Sequence, residues 1–385
     1  MLIERVVGST HLAVDSKSGN SIYLDKHTAQ ELGSNSSNAN AVLKYIYKAN
    51  NSGKRLPLVC MWELTNACDF NCPFCFIHNC HQAVFQNSEE TIRLIDAMVD
   101  AGLLLCTLTG GEVLLHPEFE KIYSYMKNKG VLVEVYSNLS LLTESQIELF
   151  RQLQPYKVEV TLYGHDNPSY CSNTAQMRYD FDHVFRNVKR LQQAGINVIC
   201  KTTATVDTYS SIAPLCNLCD AENLPYYFSF SMHPDYTGRA QSSYEVPLPI
   251  KEKLLLKRVH RNGHFVDEVD KRKSAFYCAG SKYGCYISYD LKMRLCHQAY
   301  RVQNSSISIG NACDVERALA FLDDFVAPYL DRKLTHCEGC RASQYCKVCG
   351  LDEMVAIQAS NQENVMFKCA EYKTLYSYVK AQYDE

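Results

Sequence analysis

No stretch of the 385-residue sequence approaches the eighteen or so consecutive apolar residues that cross a bilayer. The opening Met1-Leu-Ile-Glu-Arg5 also lacks the basic-then-apolar order of a signal peptide. No membrane partner is expected, and the cytoplasm is the expected compartment. An excess of one charge is missing too: thirty-nine basic against forty-two acidic side chains leave a formal charge of −3. That balance gives no footprint for a phosphate backbone and argues against nucleic acid as a partner. The composition of a disordered or collagen-like chain is absent as well, since 46% hydrophobic and 21% charged residues can bury a sizeable core. At roughly 100–200 residues per domain the chain should hold two or three.

What is abundant is cysteine. Nineteen of them, in a long chain without an export signal, do not read as a secreted disulfide framework; in a reducing compartment clustered cysteines bind metal. Cys60, Cys106, Cys171, Cys200 and Cys313 stand alone among apolar or unpatterned neighbours and read as core thiols. Cys216-x-x-Cys219 falls in a helical pattern whose spacing puts both on one face, again a core reading.

From residue 57 short apolar or β-branched runs alternate with amphipathic stretches, the order of βα units on a parallel sheet. Six strands are expected, at 57–64, 103–109, 131–136, 157–162, 196–203 and 225–231. Ser88 before Glu89 and Glu90 caps a first helix, Pro117 opens a second, Thr143-Glu-Ser-Gln146 is a capping box for a third, and a fourth carries the apolar face Phe181, Val184, Phe185, Val188 and Leu191. A weaker helix is expected at 208–220. Periodicity leaves open an open doubly wound sheet or an incomplete eight-stranded barrel; in both, functional residues gather at the C-terminal ends of the strands. Residues 1–56 read as a small hairpin and helix, either a layer closing one end of the barrel or a sheet edge for an incoming peptide. Residues 232–275 read as a linker with one helix, and 276–385, with nine of the cysteines, as a separate metal-binding domain.

Directly after the first strand stands Cys68-Asp-Phe-Asn-Cys72-Pro-Phe-Cys75, three thiols in eight residues. Three thiolates suit a cluster with one metal left open, whereas a structural zinc or closed iron–sulfur site wants a fourth ligand, for which Cys80 and His81 are the neighbours. This triplet, with the aromatic Phe74 before its third Cys, resembles the signature of the radical S-adenosylmethionine (SAM) superfamily. The resemblance implies a partial (β/α)6 TIM-like barrel over 57–231. It also implies a four-iron cluster on Cys68, Cys72 and Cys75 whose open iron chelates SAM and cleaves it to a 5′-deoxyadenosyl radical.

Thr109-Gly110-Gly111-Glu112 resembles the family's GGE element, with glycines for close backbone approach and Glu112 as a carboxylate for the SAM ammonium. Tyr136-Ser137-Asn138 resembles the ribose-contacting segment, the alternative being an αL turn at Asn138. Thr161-Leu-Tyr163-Gly164 resembles a segment common in peptide-modifying members, the alternative being a turn at Gly164. Cofactor contacts are therefore expected from Phe74, Gly110, Gly111, Glu112, Ser137, Asn138 and Thr161. His233-Pro-Asp235, after the sixth strand, is the candidate catalytic pair.

Towards the C-terminus the series Cys278, Cys285, Cys296, Cys337-x-x-Cys340, Cys346-x-x-Cys349 and Cys369 resembles the SPASM extension of radical SAM enzymes. That resemblance implies two auxiliary [4Fe-4S] clusters, one on Cys278, Cys285, Cys296 and Cys349, the other on Cys337, Cys340, Cys346 and Cys369. The pattern departs in having two residues between Cys346 and Cys349 and no Gly five residues before Cys296. Three [4Fe-4S] clusters, SAM, a flavodoxin- or ferredoxin-type electron donor and a ribosomally made peptide substrate are thus expected, with thioether or carbon–carbon cross-linking as the reaction. A sulfatase-type protein residue or a small metabolite are alternative substrates, and a non-catalytic electron carrier is the alternative from another class.

Overall fold

The computed structural model describes residues 2–15, 22–35, 38–77, 82–230, 232, 234–236, 241–262, 279–311, 314–330, 340–344, 351, 354 and 363–383. Six parallel strands form the centre: β4 (Val59–Thr65), β5 (Leu105–Gly110), β6 (Leu132–Ser137), β7 (Lys157–Thr161), β8 (Val198–Thr203) and β9 (Tyr226–Ser229), hydrogen-bonded in that order. The expected strands lie within a few residues of these. Helices return the chain between them, among them α3 (Ser88–Asp100), α4 (Phe119–Asn128), α5 (Glu144–Gln152), α6 (Asn167–Thr174), α7 (Phe181–Gln193) and α8 (Ile212–Ala221).

The caps follow local chemistry. Thr143 and Gln146 form the expected capping box. The cap of α3 is Asn87 rather than Ser88, its side chain accepting from the amides of Glu89 and Glu90; Asn satisfies orphan amides as well as Ser does. The short helix α6 has no apolar periodicity to announce it; an Asp166–Ser169 capping box with Pro168 in its first turn starts it.

Alternation along the strands sorts two faces. Cys60, Trp62 and Leu64 of β4, Cys106 and Leu108 of β5, Val133 and Val135 of β6, and Cys200 of β8 pack under the helices in one continuous core with Cys216 and Cys219 of α8. Met61, Glu63, Thr109, Tyr136, Thr161, Lys201 and Thr203 point the other way, into the space the curved sheet surrounds. The lower part of that space holds an ionic network. Lys157 Nζ lies 3.3 Å from Glu134, Lys201 Nζ lies 3.0 Å from Glu159, and the Lys201 ammonium sits 3.5 Å above the Tyr136 ring. Burial opposes ionisation of Glu159, yet Lys201 and Lys157 hold its carboxyl down at about 2.

The region expected to be a separate C-terminal domain begins inside the same sheet. Strand β10 (Gly284–Ile287) pairs in parallel with the free edge of β4, and β11 (Lys292–Arg294) and β12 (Ile307–Ser308) continue antiparallel, so the full sheet has nine strands. Arg55 fastens this join: its guanidinium donates to the carbonyls of Gly280 (3.0 Å) and Gly284 (2.8 Å) and pairs with Asp323 (2.8 Å).

At the N-terminus β1 (Leu2–Val7), β2 (Thr10–Asp15) and β3 (Ile22–Leu24) make an antiparallel sheet, followed by α1 (Lys26–Leu32) and α2 (Ala39–Ala49). The sequence pattern predicts only β2 and β3; β1, with Glu4 and Arg5 at its centre, lacks a clean apolar alternation. Val7, Leu12, Val14, Ile22, Val42 and Ile46 share a core with Leu58, Leu104 and Leu132, residues at the N-terminal ends of the barrel strands. This layer therefore closes the lower end of the barrel, the first of the two roles considered for it. No helix among the described residues is long and apolar enough to cross a membrane.

Candidate active site

At the C-terminal ends of the strands lies a cavity of about 390 Å³, within the roughly 300–1,000 Å³ range of sites for small organic ligands. Cys68, Cys72 and Cys75 all line it. The loop that carries them is held at its root by Asn66, which accepts from Val84 N (2.7 Å) and donates to Gln82 O (2.9 Å), and by Thr65 Oγ1, which donates to Val84 O (2.7 Å). Within the loop Phe70 N donates to Cys68 Sγ (3.4 Å) and Cys75 N to Cys72 O (3.0 Å). Phe74 is wedged edge-on against Tyr163, ring centroids 4.8 Å apart. Burial raises the pKa values of Cys68 and Cys72 well above an ordinary thiol, so a metal binding there must displace protons. Three thiols converging on a cavity with ligand-sized space beside them fit a three-cysteine iron–sulfur cluster with one open iron.

The glycines of the Gly110-Gly111-Glu112 element also allow a close approach within the chain. A methyl on Gly110 would stand 2.3 Å from Thr65 O, and one on Gly111 2.2 Å from Ala67 O. Gly111 N donates to Thr65 O (2.9 Å) and Glu112 N to Ala67 O (2.8 Å). The close approach is thus to the backbone leading into Cys68, and both glycines also line the cavity. The Glu112 carboxylate, expected at the SAM ammonium, accepts from Leu114 N (2.9 Å), Ser137 Oγ (2.7 Å) and Asn138 N (2.6 Å). Burial lifts it to about 7. Through Ser137 and Asn138 it holds the end of β6.

Ser137, Asn138 and Thr161, expected to contact the cofactor, line the cavity. Asn138 is not the αL residue; Leu139 is, at φ 58°. The Asn138 amide instead donates to Asp69 (2.9 Å), which also accepts from Ser140 Oγ (2.5 Å). Asp69, between the first two cysteines, thereby ties their loop to β6, a role that a strand-by-strand reading does not show. Gly164 abuts the Tyr170 backbone at 2.2 Å from a would-be methyl, so it serves packing against α6.

Of the expected catalytic pair, His233 lies outside the described residues, and Asp235 is buried but does not line the cavity; its neighbours Pro234 and Tyr236 do. In its place stands a group the sequence reading misses. Glu63, facing inward from β4, accepts from the Tyr236 hydroxyl, and Tyr236 also hydrogen-bonds Tyr286 and stacks on Tyr300 at 3.7 Å between centroids. Burial lifts Glu63 to about 7 despite these donors. Arg294 lies 3.8 Å over the Tyr300 ring, and His297, lowered to about 4 by burial first and by Arg301 and Lys201 next, completes the wall. A lone Glu in an otherwise apolar strand is the signal that points to Glu63.

Among the expected auxiliary ligands, Cys278, Cys337, Cys346 and Cys349 lie outside the described residues, as do Cys80, His81 and Cys313. Cys296 is half-buried beside the cavity wall, Cys340 half-buried, and Cys369 buried on the C-terminal helix Glu363–Tyr383. Cys285 sits on β10 with its side chain in the helix-facing core. Leu291, at the position where the usual pattern has Gly, adopts φ 55°, the left-handed conformation a glycine takes freely.

Comparison with known proteins agrees with this geometry. Residues 62–215 match the model of the Radical SAM superfamily. The sporulation killing factor maturation protein SkfB of Bacillus subtilis is 26% identical over 165 residues, 43% of this chain and 40% of that protein. The antilisterial bacteriocin subtilosin biosynthesis protein AlbA of the same organism is 32% identical over 106 residues, 27% of this chain and 23% of that protein. The chain thus spans less than half the length of these relatives. In fold it is similar to Streptococcus suis SuiB bound to its precursor peptide SuiA, with TM-score 0.59 and 15% identity over 84% of this chain and 87% of SuiB.

Proposed function

The chain carries a radical SAM superfamily domain over residues 62–215, and from that premise we propose that it reductively cleaves SAM and uses the resulting radical to modify a ribosomally made peptide. The observation that carries the reading is one cavity lined at once by Cys68, Cys72, Cys75, Gly110, Gly111, Ser137, Asn138 and Thr161. A four-iron cluster bound by the three cysteines would supply an electron to SAM held on its open iron. The protein's own part is to orient and to exclude water. Ser137 and Asn138, fixed by Glu112, present polar groups on one side. Phe74 and Tyr163 wall off the other. Glu63 Oε1 accepts from the Tyr236 hydroxyl, and both residues line the cavity.

A peptide substrate is supported by the names of SkfB and AlbA and by the peptide-bound SuiB structure. We read residues 276–385 as a SPASM-type region with two auxiliary [4Fe-4S] clusters that accept an electron from the product radical, and a flavodoxin- or ferredoxin-type protein as the donor. A thioether or carbon–carbon cross-link is the product this reading favours. The edge of β3, which pairs only with β2 among the described residues and exposes Tyr23, offers a place for peptide docking by β-addition. Tyr23→Pro should then weaken binding of a peptide encoded beside this gene in an anisotropy titration; equal affinity would sink the docking idea.

The main test is anaerobic reconstitution followed by SAM and dithionite. About twelve irons per chain and steady formation of 5′-deoxyadenosine are expected. Replacing Cys68, Cys72 and Cys75 with Ala should leave about eight irons and no cleavage. A triple variant that still cleaves SAM would refute the assignment.

A further inference from the structure

We propose that Cys285 is a core thiol and not a cluster ligand, so that the C-terminal region offers seven rather than eight of its candidate cysteines to metal. Only the consequence for two auxiliary clusters rests on the reading above; the placement of Cys285 does not.

Three observations converge. Cys285 pairs in register with Cys60, and Cys60 with Cys106, on three adjacent parallel strands. Residues at matching positions of neighbouring strands point to the same face, so the three thiols form a ladder across β10, β4 and β5. All three are buried in the apolar core among helices. The next residue along β10, Tyr286, takes the opposite face, where its hydroxyl meets that of Tyr236 at the cavity wall.

The hairpin gives the second argument. Tyr286 is opposite Arg294 across β10 and β11, so one residue back on β10 and one forward beyond β11, Cys285 and Leu295 fall on the core side together. Leu295 belongs to the same core. Cys296, one residue further, is only half-buried at the margin of that core, next to the cavity-lining His297. Cys285 is thus fixed in the core by strand pairing on both sides, with Cys60 on β4 and Leu295 just past β11.

Third, Cys296 has a different neighbour. A methyl on Gly280 would lie 3.6 Å from Cys296 Cβ, which sets Gly280 against Cys296. Assigning ligands by order along the chain makes Cys285 and Cys296 look equivalent; strand pairing buries the first in the core, while the second is half-buried beside Gly280. With eight positions in two clusters and seven thiolates, one iron takes a ligand other than these cysteines.

The test compares full-length, anaerobically reconstituted wild type with Cys285→Val and Cys296→Ala. Val keeps an apolar, strand-favouring side chain in the ladder but cannot bind iron. Iron and acid-labile sulfide per chain, and the EPR spectrum of the dithionite-reduced protein, should be the same for Cys285→Val as for wild type, whatever total the wild type holds, while Cys296→Ala should lose about four irons. Loss of about four irons from Cys285→Val with an unchanged far-UV CD spectrum would overturn the proposal. Should Val overpack and unfold the core, Cys285→Ala is read in the same way. A wild type holding only about four irons would refute the two-cluster reading, yet the comparison between wild type and variant would still decide Cys285.

Discussion

The two ends of the barrel are built from different chemistry. At the upper end the strands run out into polar or charged residues, three thiols and two carboxyls lifted to about 7 by burial. At the lower end Val7, Leu12, Leu58, Leu104 and Leu132 form a closed apolar layer, and a charged side chain inserted there, Arg5, uses its guanidinium on the carbonyls of Val99, Leu103 and Gly130. Burial at one end tunes ionisable groups; at the other it holds the strands together. Damage at the two ends should therefore separate cleanly into lost chemistry and lost stability.

The largest effect is expected from Gly111→Ala. Its new methyl would meet Ala67 O and push the cysteine loop off β5, and a displacement of about 1 Å at a reacting centre can cost about 100-fold. SAM cleavage, measured as 5′-deoxyadenosine, should fall below about 1% of wild type, while thermal unfolding moves only a few degrees. Cleavage above half of wild type would break the division. At the other end Leu104→Ala should cost about 2–5 kcal/mol in a denaturant titration and leave the iron content intact; lost iron in a folded variant would mean the ends are coupled.

Smaller, and at the upper end, is a pH effect on stability from Glu63. Its carboxyl is raised in the folded state to about 7 from 4.5, so the protonated form is the one folding favours. Its contribution is fully present below about pH 4.5 and is lost as pH rises through about 7, on the order of 3 kcal/mol. Glu63→Gln keeps the hydrogen bonding but removes the titration, so the difference in unfolding free energy between variant and wild type should widen in favour of the variant as the pH is raised from about 5 to about 8. Parallel pH curves would show that Glu63 does not titrate there.

Features set by short-range pattern are legible in the sequence: the six strands, the capping box at Thr143, the cysteine triplet and the cavity-facing ends at Gly110, Ser137 and Thr161. What is not legible shares a different cause. The motif names Glu112 but does not show that it accepts from Ser137 and Asn138 at the end of β6. Glu63 escapes a local reading because its partners, Tyr236 and Tyr289, arrive from 173 and 226 residues away. Spacing groups Cys285 with the ligands, whereas the strand pairing that turns it inward joins residues far apart in the chain. Proximity alone places Asp235 in the cavity, where its neighbours Pro234 and Tyr236 take the lining positions. Local signals name the residues; long-range pairing decides which way they face.

The parallel pairing of β10 with β4 also sets a schedule for synthesis. Until residues 284–287 leave the ribosome, the outer edge of β4 has no neighbour on that side, though all the strands from β5 to β9 can already assemble. At roughly 5–20 residues per second, the stretch from Thr65 to Gly284 takes about ten to forty seconds. Through that interval Val59-Cys60-Met61-Trp62 is an open, apolar sheet edge, the kind that recruits other chains. The last strands to be made thus protect the first barrel strand made. A chain cut at residue 231 would carry the three loop cysteines and every strand from β4 to β9, while leaving that edge permanently exposed to aggregation.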